Sequence, residues 1–269
     1  MKAQSKRLFF GLEVHSVWPA KLPRGRILDE SIRHLTLAFL GKTDWTRLQL
    51  LLPKIPKFDM QVGIAGHFDE CLLLPPRHPR VVAWHINWLD HPGSLLSYRE
   101  TLIRWLDENN FPVSLHDGEF LPHVTVSRGH FNPKQWKTSF ESLPMFIKDF
   151  HLFESLGHSK YRSCWSSSLL SPFEEIEHTA DVGYLIRGES IEQIYHHAQT
   201  ALCFYDPQFL NYLESPGNLE DINDVIINLN TMVSNMDAEQ GCSLKAVSFH
   251  GELVEKGDQL LEWEMIIDV

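Results

Sequence analysis

The sequence predicts a two-domain α+β protein, and three observations predict it. A strand–helix–strand pattern occurs twice, each copy closing on a His-x-Thr strand: His34-Leu35-Thr36-Leu37 and His123-Val124-Thr125-Val126. Charge divides the chain, because residues 1–171 carry 21 Lys and Arg against 16 Asp and Glu while residues 172–269 carry 3 against 19. Between the two regimes lies a polar, proline-closed stretch, Ser166-Ser167-Ser168-Leu169-Leu170-Ser171-Pro172, which separates a domain at 1–168 from one at 173–269. With 269 residues, 43% of them hydrophobic, the chain has material for sizeable cores.

The first copy opens on the apolar run Leu8-Phe9-Phe10-Gly11-Leu12-Glu13-Val14, continues through a helix-capable stretch and ends at His34. The second opens on Val81-Val82-Ala83-Trp84-His85-Ile86. An amphipathic helix follows from Ser94, its N-cap, to Asn109, with Leu95, Tyr98, Leu102 and Trp105/Leu106 as its apolar stripe. In a strand, residues i and i+2 share a face. Each His-x-Thr therefore presents an imidazole beside a hydroxyl while Leu35/Leu37 or Val124/Val126 turn into a core. If the copies pack about a pseudo-two-fold axis, positions 89 apart face each other across one cleft. Two histidines can then serve opposite ends of one displacement at phosphorus, with the threonine hydroxyls donating to an oxyanion.

Beyond the boundary, Phe173-Glu174-Glu175-Ile176-Glu177-His178-Thr179-Ala180-Asp181-Val182-Gly183 precedes a helix over about 190–204. Ser190 is its N-cap, Gln193 completes a capping box, and Ile191, Ile194, Ala198 and Leu202 form its stripe. A second helix is expected near Asp224 to Met236.

Cys71, Cys164, Cys203 and Cys242 are far apart and form no Cys-x-x-Cys pair, which reads as reduced thiols in a cytoplasmic protein. The basic start, Met1 to Arg7, is followed by an apolar stretch too short and too broken by Glu13 for a leader, and no run reaches membrane-spanning length. Without a Walker loop, a Gly-x-Gly-x-x-Gly or a His-Glu-x-x-His, nucleotide-cofactor and zinc-protease chemistries lack support.

Residues 6–168 resemble the two-histidine (2H) phosphoesterase superfamily, in particular its RNA 2′,3′-cyclic phosphodiesterase branch. The resemblance is carried by Arg7-Leu8-Phe9-Phe10, the run from His34 to Gly41, Pro79 to Trp84, Phe120-Leu121-Pro122 with His123 to Arg128, and Phe153-Glu154-Ser155 ahead of Tyr161. It implies a bilobal fold with two antiparallel sheets flanking a cleft. His34 and His123 would be the catalytic acid and base, Thr36 and Thr125 would hold non-bridging oxygens, and Arg128 would offset the developing charge, with no metal required. Since the family leaves a 2′-phosphate, His34 is assigned to protonate the 3′ oxygen and His123 to act on water.

Residues 173–269 resemble a shortened archease, a small protein that assists the RNA ligase joining 3′-phosphate or cyclic-phosphate ends. The matching residues are His178-Thr179-Ala180-Asp181, Ser243 to His250 and the closing Ile266-Ile267-Asp268-Val269. By that resemblance calcium or magnesium would lie between Asp181 and Asp268, with Val269 adding an oxygen and His178 orienting the loop. Together the halves imply RNA end repair, with RNA termini as substrate and an RNA ligase as partner. Two other readings stay open: a phosphodiesterase of small cyclic nucleotides or oligonucleotides, and a non-catalytic module that binds RNA ends and docks a ligase.

Overall fold

The computed structural model describes residues 4–90, 93–114, 120–178, 181–248 and 251–269. Apolar alternation builds the first strand, β1 (Ser5–Ser16), which buries Leu8, Phe10, Leu12 and Val14 on one face. The first half continues through β2 (Arg26–Ile27), β3 (His34–Asp44), α1 (Trp45–Leu48), β4 (Ile64–Leu74), β5 (Val81–Trp88), α2 (Gly93–Glu108), β6 (His123–Arg128), α3 (Pro133–Thr138), β7 (Leu143–Gly157) and β8 (Lys160–Ser168). The helix expected between β1 and β3 does not form. Pro19 and Pro23 each remove a backbone N–H and Gly25 adds chain freedom, so residues 17–25 run without helix and only a 3₁₀ turn, Glu30–Ile32, precedes His34. In the second copy α2 does form, burying Leu95, Tyr98, Leu102 and Leu106, but Gly93 is already helical and Ser94 lies inside the first turn.

The two expected sheets are hydrogen-bonded into one. Pairing runs β1-β3-β6-β5-β4-β7 and closes when β7 returns to β1, with β2 added to β6 and β8 to β7. The closure rests on the length of β7, whose fifteen residues pair with β4 through Leu143–Ile147, with β1 through Met145–Glu154 and with β8 through Asp149–Gly157. One join is narrow: β3 and β6 share the single pair Leu35–Val124.

The second half contains β9 (Phe173–Ile176), β10 (Val182–Gly188), α4 (Ile191–Tyr205), α5 (Ile222–Gln240), β11 (Ala246–Val247), β12 (Leu253–Glu255) and β13 (Leu261–Asp268). Its sheet has the order β11-β13-β10-β9, with β12 on β13. The molecule is thus α+β, with a closed, barrel-like sheet and a second, smaller one. Ser190 caps α4 by accepting from the Gln193 amide at 3.1 Å, while the Gln193 side chain reaches one residue further back, to the Glu189 amide at 2.7 Å. α5 is longer than expected because Asp221 and Asp224 cap it reciprocally, and it ends at Gly241, whose φ of 80° suits only glycine well.

α4 departs most from expectation. A single apolar stripe was predicted, yet every residue from Ile194 to Cys203 is buried, because the helix packs on β10 and β13 and also on β4 and β7 of the first sheet. Its polar residues find partners: Thr200 donates to the His196 carbonyl, and His197 donates through Nδ1 to the Arg187 carbonyl. His197 Nε2 lies 2.8 Å from Asp90 Oδ2, an oxygen that also accepts from the Ala65 amide at 2.7 Å. Burial works against a charge on His197, but Asp90 outweighs it and raises the imidazole above its ordinary range. A buried ion pair therefore joins the two halves. The boundary stretch is built in as well, since Val62 pairs with Leu170 and the Gly63 amide donates to the Leu170 carbonyl.

All four cysteines are free thiols, and no helix among the described residues is long and apolar enough to cross a membrane.

Candidate active site

The narrow join between β3 and β6 is where the two tripeptides meet. With Leu35 opposite Val124, one step to either side sets His34 across from Thr125 and Thr36 across from His123. Leu35 and Val124 point into the core, so both imidazoles and both hydroxyls emerge on the other face. His34 donates through Nδ1 to the Ile32 carbonyl at 2.7 Å, and His123 through Nδ1 to the Leu121 carbonyl at 2.8 Å. A carbonyl only accepts, so each Nδ1 carries a hydrogen and Nε2 is left as the nitrogen that exchanges a proton. Arg33 supports the first of these contacts. Its guanidinium, lying over Trp18, donates twice to the Leu28 carbonyl, and the Leu28 amide donates to Val126 of β6.

Alternation alone would send Arg128 into the core with Val124 and Val126. A β-bulge prevents this: Thr125 pairs with Ala83 but Ser127 pairs with Val82, which leaves Val126 as the extra residue and makes Arg128 the partner of Val81. Arg128 thereby returns to the face of His123 and Thr125. A second bulge in β3 leaves Leu37 and Ala38 both buried, brings Phe39 to the same face and frees the Leu37 carbonyl, which accepts from Arg99 Nε of α2 at 3.0 Å.

His34 is enclosed. Its ring centroid lies 4.7 Å from that of Phe9, 5.2 Å from Phe153 and 5.2 Å from Tyr161. A Cβ on Gly11 would stand 2.9 Å from the Leu35 carbonyl oxygen and 3.4 Å from the His34 ring, so the missing side chain is what allows this packing. Burial pushes the imidazole down to about 4, and the positive charges of Arg128, His123 and His151 act in the same direction against the Ile32 hydrogen bond. His34 is consequently neutral at physiological pH.

Two carboxylate–imidazole pairs flank the motif histidines. Glu13 is the register neighbour of His34 and stands 3.3 Å from His151 Nε2, whose Nδ1 is 3.0 Å from Ser163 Oγ. His85 is the register neighbour of His123 and lies 2.7 Å from Asp69 Oδ1. None of these four residues was singled out as functional from the sequence. The alternation that sets Gly11 and Glu13 on the face of His34 was available there, but the partners come from β4 and β7, which no local pattern links to the motifs.

The residues expected around a metal lie at the edge of the second sheet. Val182 pairs with Ile267, so Asp181 and Asp268 oppose each other one step beyond. His178 Nδ1 is 3.5 Å from Asp181 Oδ2, Ser248 Oγ donates to Asp268 Oδ1 at 3.2 Å, and Lys245 Nζ donates to the Val269 carbonyl at 2.5 Å. Thr179, Ala180, Phe249 and His250, parts of the archease-like motifs, lie outside the described residues. Among the described residues no group of three or more His, Cys, Asp or Glu side chains converges as metal ligands do.

No protein-family model matches this sequence, and no curated protein matches it. Solved structures do show similarity. The chain is similar to Escherichia coli LigT complexed with 3′-AMP at 20% identity, over 62% of this chain and 99% of that one, with a TM-score of 0.44. It is similar to TT0787 of Thermus thermophilus at 19% identity, over 61% of this chain and 98% of that one, with a TM-score of 0.46.

Proposed function

We propose that the chain is a metal-independent RNA 2′,3′-cyclic phosphodiesterase of the 2H type. The observation that carries this reading is the Leu35–Val124 pair, which sets two histidines and two threonines crosswise on one face. A neutral His34 is suited to take a proton from water through Nε2, which reverses the roles first assigned from the sequence. The water oxygen bonds to phosphorus, the bond from phosphorus to the 3′ oxygen breaks, and His123 gives that oxygen a proton, leaving a 2′-phosphate. Thr36 and Thr125 donate to the non-bridging oxygens while Arg128 balances their charge.

The test is hydrolysis of a short RNA ending in a 2′,3′-cyclic phosphate, in excess chelator, by wild type, His34→Ala and His123→Ala. Each substitution is expected to cost about 10²–10⁴-fold. Wild type that binds the RNA end without turning it over would instead make the chain a binding module.

For residues 173–269 the proposal is an archease-like domain that assists an RNA ligase and holds calcium or magnesium. The opposition of Asp181 and Asp268 supports it, since two hard carboxylates brought together favour a divalent cation. Val269 could add its oxygen only if Lys245 gave way. A ligase whose guanylylation and turnover are unchanged on mixing would refute that assistance.

A further inference from the structure

Arginines gather at the C-terminal end of β6, beyond the histidines. Arg26 is the register partner of Arg128, so two guanidinium side chains leave the same face of adjacent strands. The segment holding Arg24 and Arg26 lies flat on β6 because Gly25 separates them: a Cβ there would stand 2.4 Å from Ser127 Oγ. The Arg24 carbonyl accepts from the Trp136 indole at 3.3 Å, and the Arg80 carbonyl accepts from the Gly129 amide at 2.8 Å. Backbone contacts thus hold Arg26, and the Arg24 segment before it, beside Arg128.

Like charges directly opposite on antiparallel strands destabilise a sheet unless something offsets them. Among the described residues, none of these four arginines has a carboxylate within ion-pair distance, and Arg128 Nε is buried without a hydrogen-bond partner. Carboxylates of the neighbouring segments are engaged elsewhere: Glu30 with Arg33, Asp69 with His85 and Glu70 with Lys137. Arg24 and Arg26 are exposed, and Arg26 continues the face on which Arg128 would meet the reacting phosphate.

We propose that Arg24 and Arg26 form a track for the phosphodiester backbone of a single RNA strand, so that the substrate is the end of an oligonucleotide and not a cyclic mononucleotide. The inference rests on the cyclic-phosphodiesterase reading and adds the residues that hold the strand beyond its terminal phosphate. A strand with its 3′ end at His34 and His123 supplies the missing anions: the terminal phosphate at Arg128 and the preceding ones along the track.

The experiment compares kcat/KM on a short RNA ending in a 2′,3′-cyclic phosphate with that on 2′,3′-cyclic AMP, for wild type, Arg26→Ala and the double variant Arg24→Ala/Arg26→Ala. Wild type should favour the oligomer. Each removed arginine should lower the oligomer value by about tenfold through KM, flatten the salt dependence of oligomer binding by about 0.7 in the log–log slope, and leave the mononucleotide value unchanged. Equal losses on both substrates, or no loss on the oligomer, would overturn the track. Wild type inactive on both would sink the phosphodiesterase reading alone. Fluorescence anisotropy of a 3′-phosphorylated RNA then decides the track, which stands if Arg26→Ala weakens binding and falls if it does not.

Discussion

The depressed His34 imidazole has a consequence for stability that needs no assay of catalysis. An ordinary histidine titrates near 6.5, and His34 in the folded chain titrates at about 4. Between those values the unfolded chain binds a proton that the folded chain does not, so stability falls as pH drops through that window. Linkage gives a loss of about 2 kcal/mol at pH 5 and about 3 kcal/mol at pH 4, relative to pH 7.5. The raised His197 works in the opposite sense: its contribution is fully present below the unfolded value and is lost as pH rises. Total stability therefore mixes the two, and a difference is the informative quantity. Urea unfolding of wild type and His34→Gln at pH 7.5 and pH 5 isolates it, because the variant lacks the proton-linked term while keeping His197. Relative to wild type, the variant should gain about 2 kcal/mol on going to pH 5. A difference between the two proteins that stays flat with pH would refute the argument that burial and the surrounding cations keep His34 neutral.

The same enclosure makes the Glu13–His151 pair a positioning element: His151→Gln removes one of the positive charges acting on His34, so its imidazole resonance should titrate at higher pH by NMR, whereas an unmoved titration would confine His151 to packing. Asp90→Asn leaves the buried His197 without its counter-charge and should cost about 3–5 kcal/mol in urea unfolding; the variant with both positions apolar should recover much of that, and a loss below about 1 kcal/mol would show that the pair is not desolvated. Gly11→Ala should lower stability in urea unfolding, because the new Cβ would stand 2.9 Å from the Leu35 carbonyl oxygen and the β1–β3 backbone must give; unchanged stability would refute that reading. Calcium should raise the melting temperature of wild type and not of Asp181→Asn/Asp268→Asn, and an equal shift in both proteins would place the ion elsewhere.

What the sequence made legible was whatever a short window encodes. Alternation placed Leu35 and Val124 in the core and the motif residues opposite them, and helical spacing located α2, α4 and α5 to within a few residues. It failed where the deciding partner is remote. The path of Arg128 depends on one extra residue in β6, which pairing with β5 reveals and the string His-Val-Thr-Val-Ser-Arg does not. The all-round burial of α4 depends on contact with β4 and β7, so its middle reads as a polar face, His196-His197-Gln199-Thr200, until those strands are in place. The missing first helix is the reverse case: Pro19, Pro23 and Gly25 were in plain view and outweighed the symmetry argument.

That asymmetry bears on how the site divides its labour. A true two-fold would give both motif histidines the same surroundings; two features do repeat, the Nδ1 bond to the carbonyl two residues earlier and the carboxylate–imidazole pairing, with Glu13 and His151 beside His34 and Asp69 and His85 beside His123. The walls differ. The rings of Phe9, Phe153 and Tyr161 stand around His34, and of the two flanking imidazoles His151 keeps 14% of its side chain exposed against 27% for His85. An imidazole shielded in this way holds its neutral form, which in the proposed mechanism suits His34 to act as the base. Opening the wall should then raise the His34 imidazole: Phe153→Ala, which opens the His34 pocket to water, should move the acidic limb of the kcat/KM profile upward from about 4 toward 6.5 without moving the basic limb. A profile that keeps its acidic limb after Phe153 is removed would show that the limb belongs to another group and that the division of labour is set by something other than burial.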